Sequence, residues 1–153
     1  MVVRVAPRGA AGRQDDAEPP LKNGTDLGSF PIHLGLGATA GSEPRFTGDS
    51  DWYGAYVERH EPDGAEGRLV SLHAFTEPWA IWELHPLGSE VVLCIAGTMT
   101  LHQEFTDGAR LSLTLGAGRY AINPPGVWHT ADVSAPATAL FITAGKGTQH
   151  RPR

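Results

Sequence analysis

From residue 52 onward, apolar and polar positions alternate with a period of two, the pattern of strands whose successive side chains point to opposite sheet faces. Segments 52–59, 68–75, 79–85, 90–96, 98–105, 110–115, 120–122 and 139–143 read as strands, punctuated by Gly, Pro, Asp and Asn. The clearest hairpin joins 98–105 to 110–115, because Asp107-Gly108 supplies the positive φ angles of a tight turn. Met99, Leu101, Gln103 and Phe105 share one face of it, with Thr98, Thr100, His102 and Glu104 on the other. Leu111, Leu113 and Leu115 likewise oppose Arg110, Ser112 and Thr114. One face is therefore core and the other solvent. Short strands at regular spacing, without a helical period, predict an all-β sandwich or barrel.

Outside this region the patterning is weak. Residues 1–28 combine Gly, Pro and the acidic cluster Asp15-Asp16-Ala17-Glu18, which predicts a flexible N-terminal arm. A polar stretch over 37–51 separates the short apolar segment Phe30-Pro31-Ile32-His33-Leu34 from the rest. Residues 29–145 are expected to form a single β-domain, and 146–153, with three basic residues and His150, a solvated C-terminal tail.

Composition narrows the function classes. At 153 residues and 41% hydrophobic, the chain suits one domain with a sizeable core. It has no apolar run long enough to cross a membrane and no secretory leader, so a cytoplasmic location and no membrane partner are expected. A net charge of −5 supplies no basic field, which argues against nucleic acid. The one cysteine, Cys94, excludes an internal disulfide and a multi-Cys zinc site, leaving His, Glu and Asp as ligands for any metal.

Candidate chemistry lies in two segments. On 79–85 the alternation places Trp79, Ile81, Glu83 and His85 on one face, with Trp82 and Leu84 opposite. A carboxylate among apolar neighbours is costly to bury unless it is paired or bound to metal, so Glu83 is either a ligand or a hydrated residue at the barrel mouth. Glu90 follows, and His129 arrives from a later strand. Together Glu83, His85, Glu90 and His129 offer two imidazoles and two carboxylates to a divalent ion. Such a set suits Fe, Mn, Ni or Zn, and its oxygen donors disfavour Cu(I). If both glutamates bind as anions, the loaded site is nominally neutral and favours neutral substrates. Pro124-Pro125-Gly126 stiffens the approach to His129. Cys94, of the same parity as Glu90, points inward and reads as a small buried side chain rather than a redox thiol.

These segments resemble the two motifs of the cupin family. The first reads His-x-His, four residues, Glu, six residues, Gly, and the spacing of His85, Glu90 and Gly97 fits it. The second reads Gly, five residues, Pro-x-Gly-x-x-His, and Gly118, Pro124, Gly126 and His129 fit it. Glu83 stands where the family usually has a His, and Val133 where it has a final Asn. The resemblance implies a jelly-roll β-barrel, a metal at these four residues, and dioxygenase-type oxidation of a small organic molecule with Glu83 or Glu90 as base. It leaves open isomerase or lyase chemistry, with the metal as Lewis acid, and a non-catalytic binding module. Trp79, His73 and Tyr53 are the expected substrate-lining residues. Covering of Trp82 and Leu84 by Phe30–Leu34 or by a second subunit is expected, the latter giving a homodimer.

Overall fold

The computed structural model describes residues 24–153. Two antiparallel sheets face each other in a jelly-roll sandwich. In chain order the strands are β1 (Ile32–Gly35), β2 (Thr39–Ser42), β3 (Arg68–Phe75), β4 (Ile81–Leu84), β5 (Glu90–Ala96), β6 (Thr98–Glu104), β7 (Arg110–Gly116), β8 (Tyr120–Asn123), β9 (Trp128–Asp132), β10 (Ala137–Thr143) and β11 (Gln149–Pro152). Among the described residues one α-helix, α1 (Ser50–Arg59), precedes β3, and a short 3-10 turn, Glu61–Asp63, follows it. The first sheet runs β2-β1-β3-β10-β5-β8 and the second β11-β4-β9-β6-β7. Between them, Val92, Cys94, Met99, Leu101, Ala131, Ala139 and Phe141 are almost fully buried.

The hairpin of β6 and β7 pairs Glu104 with Arg110 around Gly108, whose φ is +83°. Met99, Leu101 and Gln103 face the core as their alternation predicts, whereas Leu111 stays exposed on the outermost strand. Gly97 joins β5 to β6 at φ +76°, and a Cβ there would collide with the Pro136 carbonyl and lie 2.9 Å from Ala137 Cα. Only glycine meets both conditions.

Three expectations are corrected. Residues 52–59 form α1 rather than a strand: Trp52 and Tyr56 are four apart, stack at 5.7 Å with planes 3° from parallel, and are both buried. Asp49 caps the helix, its side chain accepting from the Trp52 N–H at 2.8 Å. Aromatic residues favour strands on average, but a capped helix with one aromatic stripe buries them as well. The tail is also no solvated terminus, because Gln149–Pro152 pairs with β4 along its length. Finally, Phe30–Leu34 does not cover Trp82; β1 pairs with β3 in the other sheet. Arg151 of β11 covers it instead, its guanidinium 5.0 Å from the Trp82 ring and 4.6 Å from Trp128. The expected flexible arm lies mostly outside the described residues.

Candidate metal centre

Strand register assembles the site. In the second sheet, His150, Glu83, His129 and Gln103 stand directly opposite one another on β11, β4, β9 and β6. In the first, Thr143, Glu90 and Asn123 do so on β10, β5 and β8. Directly opposed residues project from the same face, so each sheet delivers a row of polar side chains into the sandwich. His85, just beyond β4, completes the group.

Glu83, His85, Glu90 and His129 are at most 1% exposed. Glu90 lies between the imidazoles, its Oε2 3.0 Å from His129 Nε2 and its Oε1 3.4 Å from His85 Nε2. Glu83 Oε1 is 3.6 Å from His85 Nε2. One donor atom each from Glu83, His85 and His129 falls within 4.8 Å of the others, a spacing that could hold one ion. Glu90 is not one of these three donors, but its carboxylate contacts both imidazoles.

Outer partners set the orientation of each donor. His85 Nδ1 bonds Thr148 Oγ1 at 2.8 Å, and Thr148 in turn donates to the Gly145 carbonyl, so Nδ1 takes a hydrogen-bonding role away from the centre. His129 Nδ1 donates to the Val127 carbonyl at 3.2 Å. Both rings therefore direct Nε2 inward. Glu90 accepts from Thr143 Oγ1 at 2.7 Å and Asn123 Nδ2 at 3.1 Å, while Gln103 donates to Asn123 Oδ1 at 2.7 Å and fixes its flip. Glu83 and Glu90 both approach His85 Nε2, and two buried carboxylates sharing one site repel unless a cation or proton lies between them. His150 Nε2, 3.9 Å from Glu83 Oε1, adds a third imidazole at the edge.

Thr143, Asn123, Thr148 and His150 escape a reading of the sequence. His150 lies in a polar terminal segment without apolar alternation, and nothing local ties it to β4.

A cavity of about 320 Å³ opens beside the centre, between α1, β3 and the 145–148 loop. Tyr53, Tyr56, Val57 and Leu69 supply an apolar wall, and Ser71, Thr143 and Glu83 a polar end. Glu83 lines the cavity, whereas Glu90 is not among its lining residues. Of the expected substrate-lining residues, Tyr53 borders the cavity; Trp79 and His73 are packed in the core against Phe75 and Phe141. The Trp79 ring also meets His129 edge-on at 6.4 Å. Cys94 is buried, which holds its thiol above the ordinary range, in keeping with an inert core role.

No family model and no curated protein matches this sequence. Solved structures overlap it in part. A cupin-2 domain protein from Shewanella frigidimarina is 23% identical over 56% of this chain and 71% of its own, with a TM-score of 0.41. A protein from Neisseria meningitidis, also 23% identical, covers 49% of this chain and 71% of its own at 0.41. An oxalate decarboxylase structure, 18% identical, covers 63% of this chain and 26% of its own at 0.49. Overlaps this partial carry nothing about activity or substrate.

Proposed function

We propose that Glu83, His85, Glu90 and His129 bind one divalent cation and that the protein is a metal-dependent enzyme acting on a small neutral organic molecule, with dioxygenase-type oxidation as its chemistry. The observation that carries this reading is the convergence of two inward Nε2 atoms on a carboxylate already held by two donors, all fully buried. Ordinary ion pairing does not require that both imidazoles turn their second nitrogen to an outer partner. The donor set fits Fe, Mn, Ni or Zn. Bound there, such an ion polarises a ligand oxygen and, if it is iron, also supplies a site for O₂.

The two glutamates divide the work. Glu90, fastened by Asn123 and Thr143, anchors. Glu83 borders the cavity and faces the ligand. The apolar wall of Tyr53, Tyr56 and Val57 orients the ligand and excludes water. Two buried carboxylates disfavour anionic ligands, which is why a neutral substrate is assigned.

Metal analysis of the protein as isolated, followed by oxygen uptake with catechol-like, flavonol-like and diketone compounds, tests the proposal. Iron with uptake supports it. Metal without uptake, but with turnover under anaerobic conditions, replaces oxidation by isomerase or lyase chemistry. A protein that takes up no metal after reconstitution, and whose thermal stability is unchanged by Glu83→Ala or His85→Ala, refutes the metal reading.

A further inference from the structure

The cavity that reaches Glu83 has a second set of linked polar groups at its other end. His33 is buried, and both of its ring nitrogens are engaged: Nε2 with Asp63 Oδ2 at 2.7 Å and Nδ1 with the Tyr56 hydroxyl at 2.8 Å. A carboxylate only accepts, so Nε2 carries the hydrogen and Nδ1 accepts from Tyr56. This fixes an ordered chain, Tyr56 to His33 to Asp63. His33 and Tyr56 both line the cavity, and Asp63, with its side chain 23% exposed, meets solvent.

Strand register ties this chain to the metal centre. His33 on β1 stands opposite Leu69 on β3, Leu69 opposite Thr143 on β10, and Thr143 opposite Glu90 on β5. His33 and Glu90 therefore belong to one row on the inner sheet face, three strand spacings apart, or roughly 14 Å between backbones. Leu69 and Thr143, which stand between them in that row, both line the cavity.

The His33–Asp63 pair is closely enclosed. A Cβ on Gly35 would lie 2.7 Å from Asp63 Oδ2, and one on Gly67 2.9 Å from His33 Cε1. Neither position admits a side chain without displacing the pair. A metal does not explain the cluster of His33, His60 and Asp63, because the two imidazoles stack at 3.5 Å with planes 13° apart. Stacked rings direct their lone pairs in parallel rather than toward a common point.

We propose that Asp63, His33 and Tyr56 form a proton relay in the cavity wall that accepts the proton of a bound ligand's hydroxyl group, and that the ligand is a neutral weak acid such as a phenol or enol. The proposal rests on the cavity being the substrate site, as in the function proposed above. The ligand O–H bond breaks as its proton moves to the Tyr56 oxygen, and the Tyr56 proton moves to His33 Nδ1. The products are a ligand oxyanion and an imidazolium held against Asp63; no electrons are transferred. Tyr56 itself stays protonated, since burial, then Glu43 and Asp63, push its phenol far above the ordinary value. Asp63 stays ionised, chiefly because His33 hydrogen-bonds it. The other titratable groups around His33 and its cavity are His60, stacked on it, Glu43, which binds His60 at 2.7 Å and Arg59 at 2.6 Å, and Glu61 and Lys146, which line the cavity and pair at 3.0 Å.

The probe is para-nitrophenol, whose phenolate is coloured, titrated with pH while bound to the protein as purified and again after chelator treatment. In the wild type the bound probe ionises at lower pH than in Tyr56→Phe, His33→Gln or Asp63→Asn, by about tenfold in its ionisation constant. Binding of para-nitroanisole, which has no proton to give, is measured across the set, and the ionisation is compared among folded variants that still bind it. Should Tyr56→Phe fail to fold, Asp63→Asn carries the comparison. Identical ionisation in wild type and folded variants, or no binding of the probe to wild type, overturns the relay. A shift that persists in a protein taking up no metal refutes the metal reading and leaves the relay standing; metal uptake with no shift does the reverse.

Discussion

Replacing Thr143 by valine removes one of the two donors to Glu90 and almost nothing else. The side chains are near-isosteric, Thr143 is buried on β10, and its hydroxyl lies 2.7 Å from Glu90 Oε1. A hydrogen bond to a charged group contributes about 1.5–3 kcal/mol, and loss of a comparable outer partner lowers metal affinity about 10- to 100-fold. Those ranges agree, since tenfold corresponds to about 1.4 kcal/mol. Asn123 still holds Oε2 at 3.1 Å, so Glu90 stays near its place and the expected loss is toward the lower end, about tenfold. Competition against a chromophoric chelator, with zinc and with manganese, measures it. Unchanged metal affinity beside a stability loss of about 2 kcal/mol or more would show that Thr143 supports the fold and not a metal ligand, and would refute the assignment of Glu90.

Gly97→Ala combines a φ of +76° with a collision at the Pro136 carbonyl, so a loss of about 3 kcal/mol or more is expected in urea denaturation. Glu104 is held below the ordinary carboxylate range by hydrogen bonds from Arg151 at 2.7 Å and Arg110 at 2.6 Å. A depressed carboxyl contributes stability above its unfolded value and loses it as pH falls through the folded one. Glu104→Gln is therefore expected to flatten the fall of melting temperature below about pH 4.3 and to lower stability at pH 7. Cys94, buried with its thiol pushed upward, is expected to resist alkylation at neutral pH until the protein is denatured; labelling of the native protein at the rate of a free thiol would contradict its place in the core.

What the sequence determined by itself is whatever depends on neighbours along the chain. The period of two placed Glu83 and His85 on one face and Met99 and Leu101 in the core, and Asp107-Gly108 marked its hairpin, because side-chain direction and turn geometry are local. Helix α1 misled for a local reason as well: Trp52, Tyr53 and Tyr56 favour strands, and the competing signal was the Asp49 cap.

Tertiary structure decided the rest. Strand β11 shows no apolar alternation, since it is joined to the sheet by backbone pairing with β4 and by Arg151 over Trp82 and Trp128. The partners that orient Glu90 and His85 lie 33, 53 and 63 residues away in Asn123, Thr143 and Thr148. Asn123 and Thr143 meet Glu90 because antiparallel register places all three in one row, and Thr148 meets His85 just beyond the paired ends of β11 and β4. Register is fixed by packing both sheets on a common core, and no local pattern encodes which residue of one strand stands opposite which residue of another.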